Sequence, residues 1–139
     1  MKTITVEVSI AASLSRVWDC WTEPEHISRW NFASPEWCCP AASNDVRPGG
    51  SFVWRMEARD GSMGFDFGGT YEQVEAQKLL TYRIADGRRV SIHFEALGTQ
   101  TRVSESFETE STHTDKQQRA GWQAILDNFK GYTEGLGKQ

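Results

Sequence analysis

The sequence predicts an α+β fold in which a long C-terminal helix packs across a curved antiparallel sheet. Three observations predict it. Apolar and polar residues alternate through the opening segment, and the same period-2 pattern returns repeatedly between Ser51 and Glu108 with short glycine-containing turns between the runs. After Thr112 the apolar period becomes helical. Strands joined by short hairpin connections pair antiparallel. The 139 residues suit one ordinary domain, and we read 1–139 as a single one.

The first strand is expected from about Lys2 to Ala11, with Ile4, Val6, Val8 and Ile10 on one buried face. Ser13 then suits a helix N-cap, because its hydroxyl accepts from an otherwise unpaired amide. Leu14, Val17, Trp18 and Trp21 follow at helical spacing. Thr22 and Glu25 have capping-box spacing and Pro24 fits a first turn, so a second short helix anchored by Ile27 and Trp30 is expected. Asn31 to Gly50 reads as irregular, broken by Pro35, Pro40, Pro48 and Gly49-Gly50. Strands are expected at Ser51–Glu57, at Phe65–Val74 with a bulge or close approach at Gly68-Gly69, around Leu80, Tyr82 and Ile84, around Val90, Ile92 and Phe94, and at Thr101–Phe107. Asp60-Gly61, Asp86-Gly87 and Gly98 supply turns. In the final helix Trp122, Ile125, Leu126 and Phe129 share a face while Gln118, Asp127 and Lys130 are free to face water. Gly135 and Gly137 are expected to end it.

Composition excludes several function classes. A net charge of −4 with scattered basic residues argues against nucleic acid as a partner. No apolar run approaches a membrane span, and the segment Met1 to Ala12 lacks the apolar region of a signal peptide. Cys20, Cys38 and Cys39 form no disulfide framework, which fits a reducing, cytoplasmic location. Cys38-Cys39 lacks C-x-x-C geometry. His26, His93 and His113 have no metal-ligand spacing with the cysteines, so neither a metal nor a cofactor is expected. Phosphate-loop and nucleophile-elbow motifs are absent from the sequence.

The segments Val17-Trp18, Trp21-Thr22-Glu23-Pro24-Glu25 and Trp30, then Asp45-Val46-Arg47-Pro48-Gly49-Gly50, carry a family resemblance. It continues through Gly69-Thr70-Tyr71-Glu72-Gln73-Val74, Thr101-Arg102-Val103 and Gly121-Trp122, spanning nearly the whole chain. In this order the sequence resembles the START-like or SRPBCC superfamily, also called the helix-grip fold, and within it the homologues of the activator of heat-shock protein 90 ATPase. The resemblance implies a strand, two helices, six further strands and a long helix, giving a sheet of about seven strands. It also implies a cavity between sheet and helix, often used for small apolar or amphipathic ligands, and leaves a chaperone as a candidate partner. Cyclases and hydrolases share the fold with binding proteins, so the fold alone does not choose between them.

Six Trp, seven Phe and three Tyr supply candidate walls for such a cavity. Phe52, Trp54, Met56, Tyr71, Tyr82, Phe94, Phe107 and Trp122 are the candidates, and filling the core is the competing role for each. Gly121 either clears space beside Trp122 or allows the helix to pack closely. Glu105 shares the inward face of Thr101, Val103 and Phe107, which makes it a candidate for ligand recognition or proton transfer and the one candidate catalytic residue. A structural ion pair is its alternative role. His93 belongs to the opposite face, His26 and His113 sit near helix starts, and Asp66 is left open between a turn cap and a ligand contact. The segment around Trp30 and Trp37 is a candidate apolar patch for homodimerisation.

Overall fold

A computed structural model describes residues 2–136. The chain forms β1 (Thr3–Ile10), α1 (Leu14–Thr22), α2 (Pro24–Trp30), β2 (Trp37–Asn44), β3 (Ser51–Ala58), β4 (Gly64–Glu75), β5 (Leu79–Ile84), β6 (Arg89–Leu97), β7 (Gln100–Glu108) and α3 (Asp115–Leu136). The strands make one curled sheet in the order β1-β7-β6-β5-β4-β3-β2, antiparallel throughout. The seven strands, two short helices after the first and one long final helix are the architecture the resemblance implies.

Local chemistry accounts for most boundaries. Ser13 caps α1 by accepting the Arg16 backbone N–H at 3.2 Å. Asp60-Gly61 and Asp86-Gly87 turn their hairpins with both glycines at positive φ. At Gly69 a Cβ would lie 2.2 Å from the Arg83 carbonyl oxygen, so β4 and β5 approach closely there. The irregularity in their pairing falls between Tyr71 and Gln73 instead of at the glycine pair.

Three expectations are corrected. The segment 31–50 is not wholly irregular, because β2 pairs with β3 across a register shift between Cys38 and Ala41. Pro40 sits inside that shift on an edge strand, where its missing N–H costs no ladder bond. Thr22 does not cap α2; its hydroxyl donates to the Trp18 carbonyl, and Glu23 precedes Pro24 without a side-chain cap. The reciprocal capping box is found at the start of α3 instead. There Thr114 Oγ1 accepts the Gln117 N–H at 3.1 Å, and Gln117 Oε1 accepts the Thr114 N–H at 2.9 Å. Finally, Gly135 lies within α3, while Gly137 is outside the described residues.

The core lies between the concave face of the sheet and the three helices. Ile4, Val6, Val8 and Ile10 are all buried, as their period-2 spacing requires. Helix α3 also covers the free edge of β1: Arg119, Gln123 and Lys130 donate to the carbonyls of Thr5, Glu7 and Ser9. Those contacts satisfy an edge that would otherwise be open to pairing with another chain. Trp30 is 1 % exposed and donates its indole N–H to the Cys20 carbonyl at 2.8 Å. It therefore cannot form the exposed patch expected with Trp37, which is itself half-buried beside Phe65.

Candidate functional site

Between the sheet and the N-terminal half of α3 lies a cavity of about 410 Å³. Strands β3, β4 and β5 contribute Trp54, Met56, Phe67 and Tyr82; β7 contributes Glu105; α3 contributes Gly121, Trp122 and Ile125. Trp21 of α1 and Trp30 of α2 close the deep end. Phe65, His113 and Gln117 are exposed residues on the same wall and mark its open side. Helix α3 packs chiefly on β1 and against α1 and α2, and the space lies between it and strands β3, β4 and β5.

Five of the nine candidates, the eight wall residues and Glu105, meet here: Trp54, Met56, Tyr82, Glu105 and Trp122. Four do not. Tyr71 is buried behind Phe52, and its hydroxyl donates to Asn44 Oδ1 at 2.5 Å. Phe94 sits edge-on beneath Trp18 and Trp21, which cover it. Phe107 lies face to face with Trp122, their centroids 4.1 Å apart, so Trp122 takes the cavity surface in its place. Phe52 likewise belongs to the core and not to the wall. Strand period sets the face of a side chain but not what another element lays over it.

The wall also includes residues that strand period did not single out. Phe65 and Phe67 share the face of Tyr71 along β4, a signal present in the alternation. Gln118 was expected to face water but is buried. It accepts the Glu110 N–H at 2.9 Å and donates to the carbonyls of Glu110 and His113, pinning the loop between β7 and α3. In that loop Glu110 accepts the His113 backbone N–H, which, with the ring beside it, holds the carboxyl below its ordinary range. Gly121 is resolved in favour of open space: a Cβ there would meet nothing within 4 Å.

Glu105 is 5 % exposed, and it has neither a hydrogen bond nor an ion pair among the described residues. Its backbone pairs with Val6 and Ile92, so apolar side chains flank it on both neighbouring strands. Burial pushes its pKa up to about 8. Tyr82, also on the wall, is raised well above its usual value by burial and by the Glu105 charge. The structural ion pair considered for Glu105 is not formed. Arg88, the cavity's guanidinium, donates instead to Asp86 at 2.8 Å and to the Glu108 carbonyl at 3.2 Å.

Outside the cavity the remaining candidates have ordinary surroundings. His93 is exposed on the opposite face of the sheet. His26 Nδ1 lies 2.6 Å from the Tyr132 hydroxyl. Asp66 is exposed, 3.4 Å from Arg55, with no place on the cavity wall. Burial raises the thiol pKa of both Cys20 and Cys39, opposite to the shift that makes a reactive thiolate. No cluster of three metal-ligating side chains occurs among the described residues. No helix among them is long and apolar enough to cross a membrane.

Comparison with known proteins places this architecture. The family described as Activator of Hsp90 ATPase homolog 1-like protein matches residues 11–134. The solution structure of an AHSA1-like protein from Aeromonas hydrophila is 43 % identical, with a TM-score of 0.93 over 99 % of this chain and 96 % of that one. A Cytophaga hutchinsonii protein is 50 % identical, with a TM-score of 0.83 over 99 % of this chain and 95 % of its own. A crystal structure from Nitrosomonas europaea shares the fold at 20 % identity, with a TM-score of 0.81 over 99 % and 97 % of the two chains. No curated protein matches.

Proposed function

The chain belongs to the family of Activator of Hsp90 ATPase homolog 1-like proteins, and on that premise we propose that it binds a small, largely apolar molecule between the sheet and α3. The observation that carries the proposal is Glu105, a buried carboxyl without a partner among the described residues, on a wall made mostly of aromatic rings. A polar group buried without a partner costs free energy that an occupant can recover. Small-molecule sites combine apolar walls with a few polar groups that fix orientation, in volumes of roughly 300–1,000 Å³. Trp54, Phe67, Tyr82 and Trp122 supply such walls, and Glu105 supplies the orienting group.

Native mass spectrometry of the protein, purified gently from its own host, tests this reading. We expect a co-purifying small molecule that is lost from the Gly121→Leu variant, whose side chain projects into the cavity. A protein that carries nothing and takes up no apolar probe would contradict it.

A second reading is favoured by the same carboxyl. A group titrating at about 8 is suited to general acid–base work near neutral pH. If the bound molecule is transformed, Glu105→Gln abolishes turnover and leaves the fold intact; unchanged turnover removes the reading. The chaperone-partner reading is carried by the family's description, and no feature of the cavity supports it.

A further inference from the structure

The cavity wall carries polar groups that no described residue satisfies, Glu105 first among them. Trp21 and Trp54 also belong to the wall, but their indole N–H groups, which lack partners among the described residues, are themselves buried and do not open onto the cavity. Asn31, on the same wall, directs an amide N–H at the Met56 sulfur at 3.4 Å, a weak acceptor. Tyr82 adds a phenol that shows no hydrogen bond among the described residues, near enough to Glu105 to feel its charge.

The charged groups around Glu105 leave it the same character. Arg88, from the turn between β5 and β6, is directed to Asp86 and the Glu108 carbonyl. Glu110 and His113, from the loop before α3, are bonded to each other, and the α3 residue that faces them, Gln118, is uncharged and bonded to their backbone. Tyr82 on β5 is neutral. With no cation to hold it ionised, the carboxyl stays protonated at neutral pH, and its O–H is one more donor.

We propose that the occupant is a neutral, mainly apolar molecule that presents a hydrogen-bond acceptor, a carbonyl oxygen first of all, to Glu105 and the Tyr82 phenol. This inference rests on the ligand-binding reading above and adds the chemical class to it. An anionic head would meet no unpaired cation on this wall. A cationic head would find aromatic faces to its liking but would need Glu105 ionised in apolar surroundings, so it is the competitor the experiment must separate.

Three probes on one skeleton make that separation: acetylnaphthalene, ethylnaphthalene and naphthylmethylamine, each titrated into the full chain by calorimetry. The ketone is expected to bind roughly tenfold tighter than the hydrocarbon, the effect of about one well-made hydrogen bond. Its affinity should hold steady below pH 8 and fall as pH rises through the carboxyl's pKa of about 8, because the donating proton is then lost. Glu105→Gln keeps an N–H donor, so it should retain the ketone affinity within a few-fold and abolish the pH dependence. Glu105→Leu should lose about tenfold for the ketone and nothing for the hydrocarbon. Equal affinities for ketone and hydrocarbon would overturn the acceptor proposal while leaving a cavity that binds. An amine that binds tightest, and is lost in Glu105→Gln, would overturn it in favour of a cation. If no probe binds, the ligand-binding reading falls, and this inference with it.

Discussion

The two halves of α3 do different work on one amphipathic face. Toward the C-terminus, Leu126 and Phe129 are fully buried, and the Phe129 ring packs edge-on against Trp21 and Trp30 at 4.9 and 4.7 Å. Toward the N-terminus, Gly121, Trp122 and Ile125 remain partly accessible and face the cavity. Polar groups divide less sharply. On the cavity wall Trp30, Arg88 and Gln118 have good partners, whereas Trp54 and Glu105 have none among the described residues. At the packed end the Thr133 hydroxyl is left with only the Cys20 thiol beside it. One half of the helix is built for stability; the other leaves groups that an occupant would complete.

Substitutions test that contrast, and the largest effect belongs to the packed half. Phe129→Ala should cost about 4 kcal/mol in chemical denaturation, the usual size for emptying a tightly packed aromatic site. A loss under about 1 kcal/mol would mean this end is no better packed than the other.

Next comes Glu105. Its native pKa of about 8 lies above the unfolded carboxyl's value of about 4.3, so the native state holds the extra proton between the two. The stabilising contribution is complete below the unfolded value and is lost as pH rises toward 8. Glu105→Gln should therefore gain on the order of 3 kcal/mol relative to the parent between mildly acidic and mildly alkaline pH. Parallel stability profiles for the two proteins would show that the carboxyl has a partner after all.

Trp122→Ala removes a ring that is only partly buried and stacked on Phe107, and about 2 kcal/mol is expected, with a larger effect on probe binding. A cost matching that of Phe129→Ala would erase the difference between the halves. The smallest change sharpens the comparison from the other side. Gly121→Ala adds a methyl into open space and should stabilise by about 0.5–1 kcal/mol through helix propensity and unfolded-state entropy. Destabilisation in thermal melts would place the sheet closer to the helix than the structure does.

The division between these regions also explains what could be read from the sequence. Ile4, Val6, Val8 and Ile10, or Thr101, Val103, Glu105 and Phe107, announce their face by alternation, and the sheet follows from such runs. Strand β2 is hidden because Pro40 and a register shift interrupt its alternation, and its residues mix buried, half-buried and exposed positions without a period. For the cavity, alternation identified inward residues but not their cover. Tyr71, Phe94 and Phe107 point inward like Trp54 and Tyr82, and only tertiary packing decides that other side chains lie over them. Gln118 reads as a water-facing residue because its burial depends on the loop carbonyls it serves, a contact with no local pattern. Glu105 was legible because a carboxyl breaks an otherwise buried strand face.

The most direct test of the central claim uses the six tryptophans as separate reporters. Each indole N–H gives its own proton resonance, assignable by single Trp→Phe replacements. On titration with acetylnaphthalene, the resonances of Trp54 and Trp122 should move most. Those of Trp37 and Trp18, which stand off the cavity wall, should hold still. Saturable shifts confined to the cavity indoles would establish the space between the sheet and α3 as a binding site. Shifts led by Trp37, or none at all at saturating probe, would contradict it.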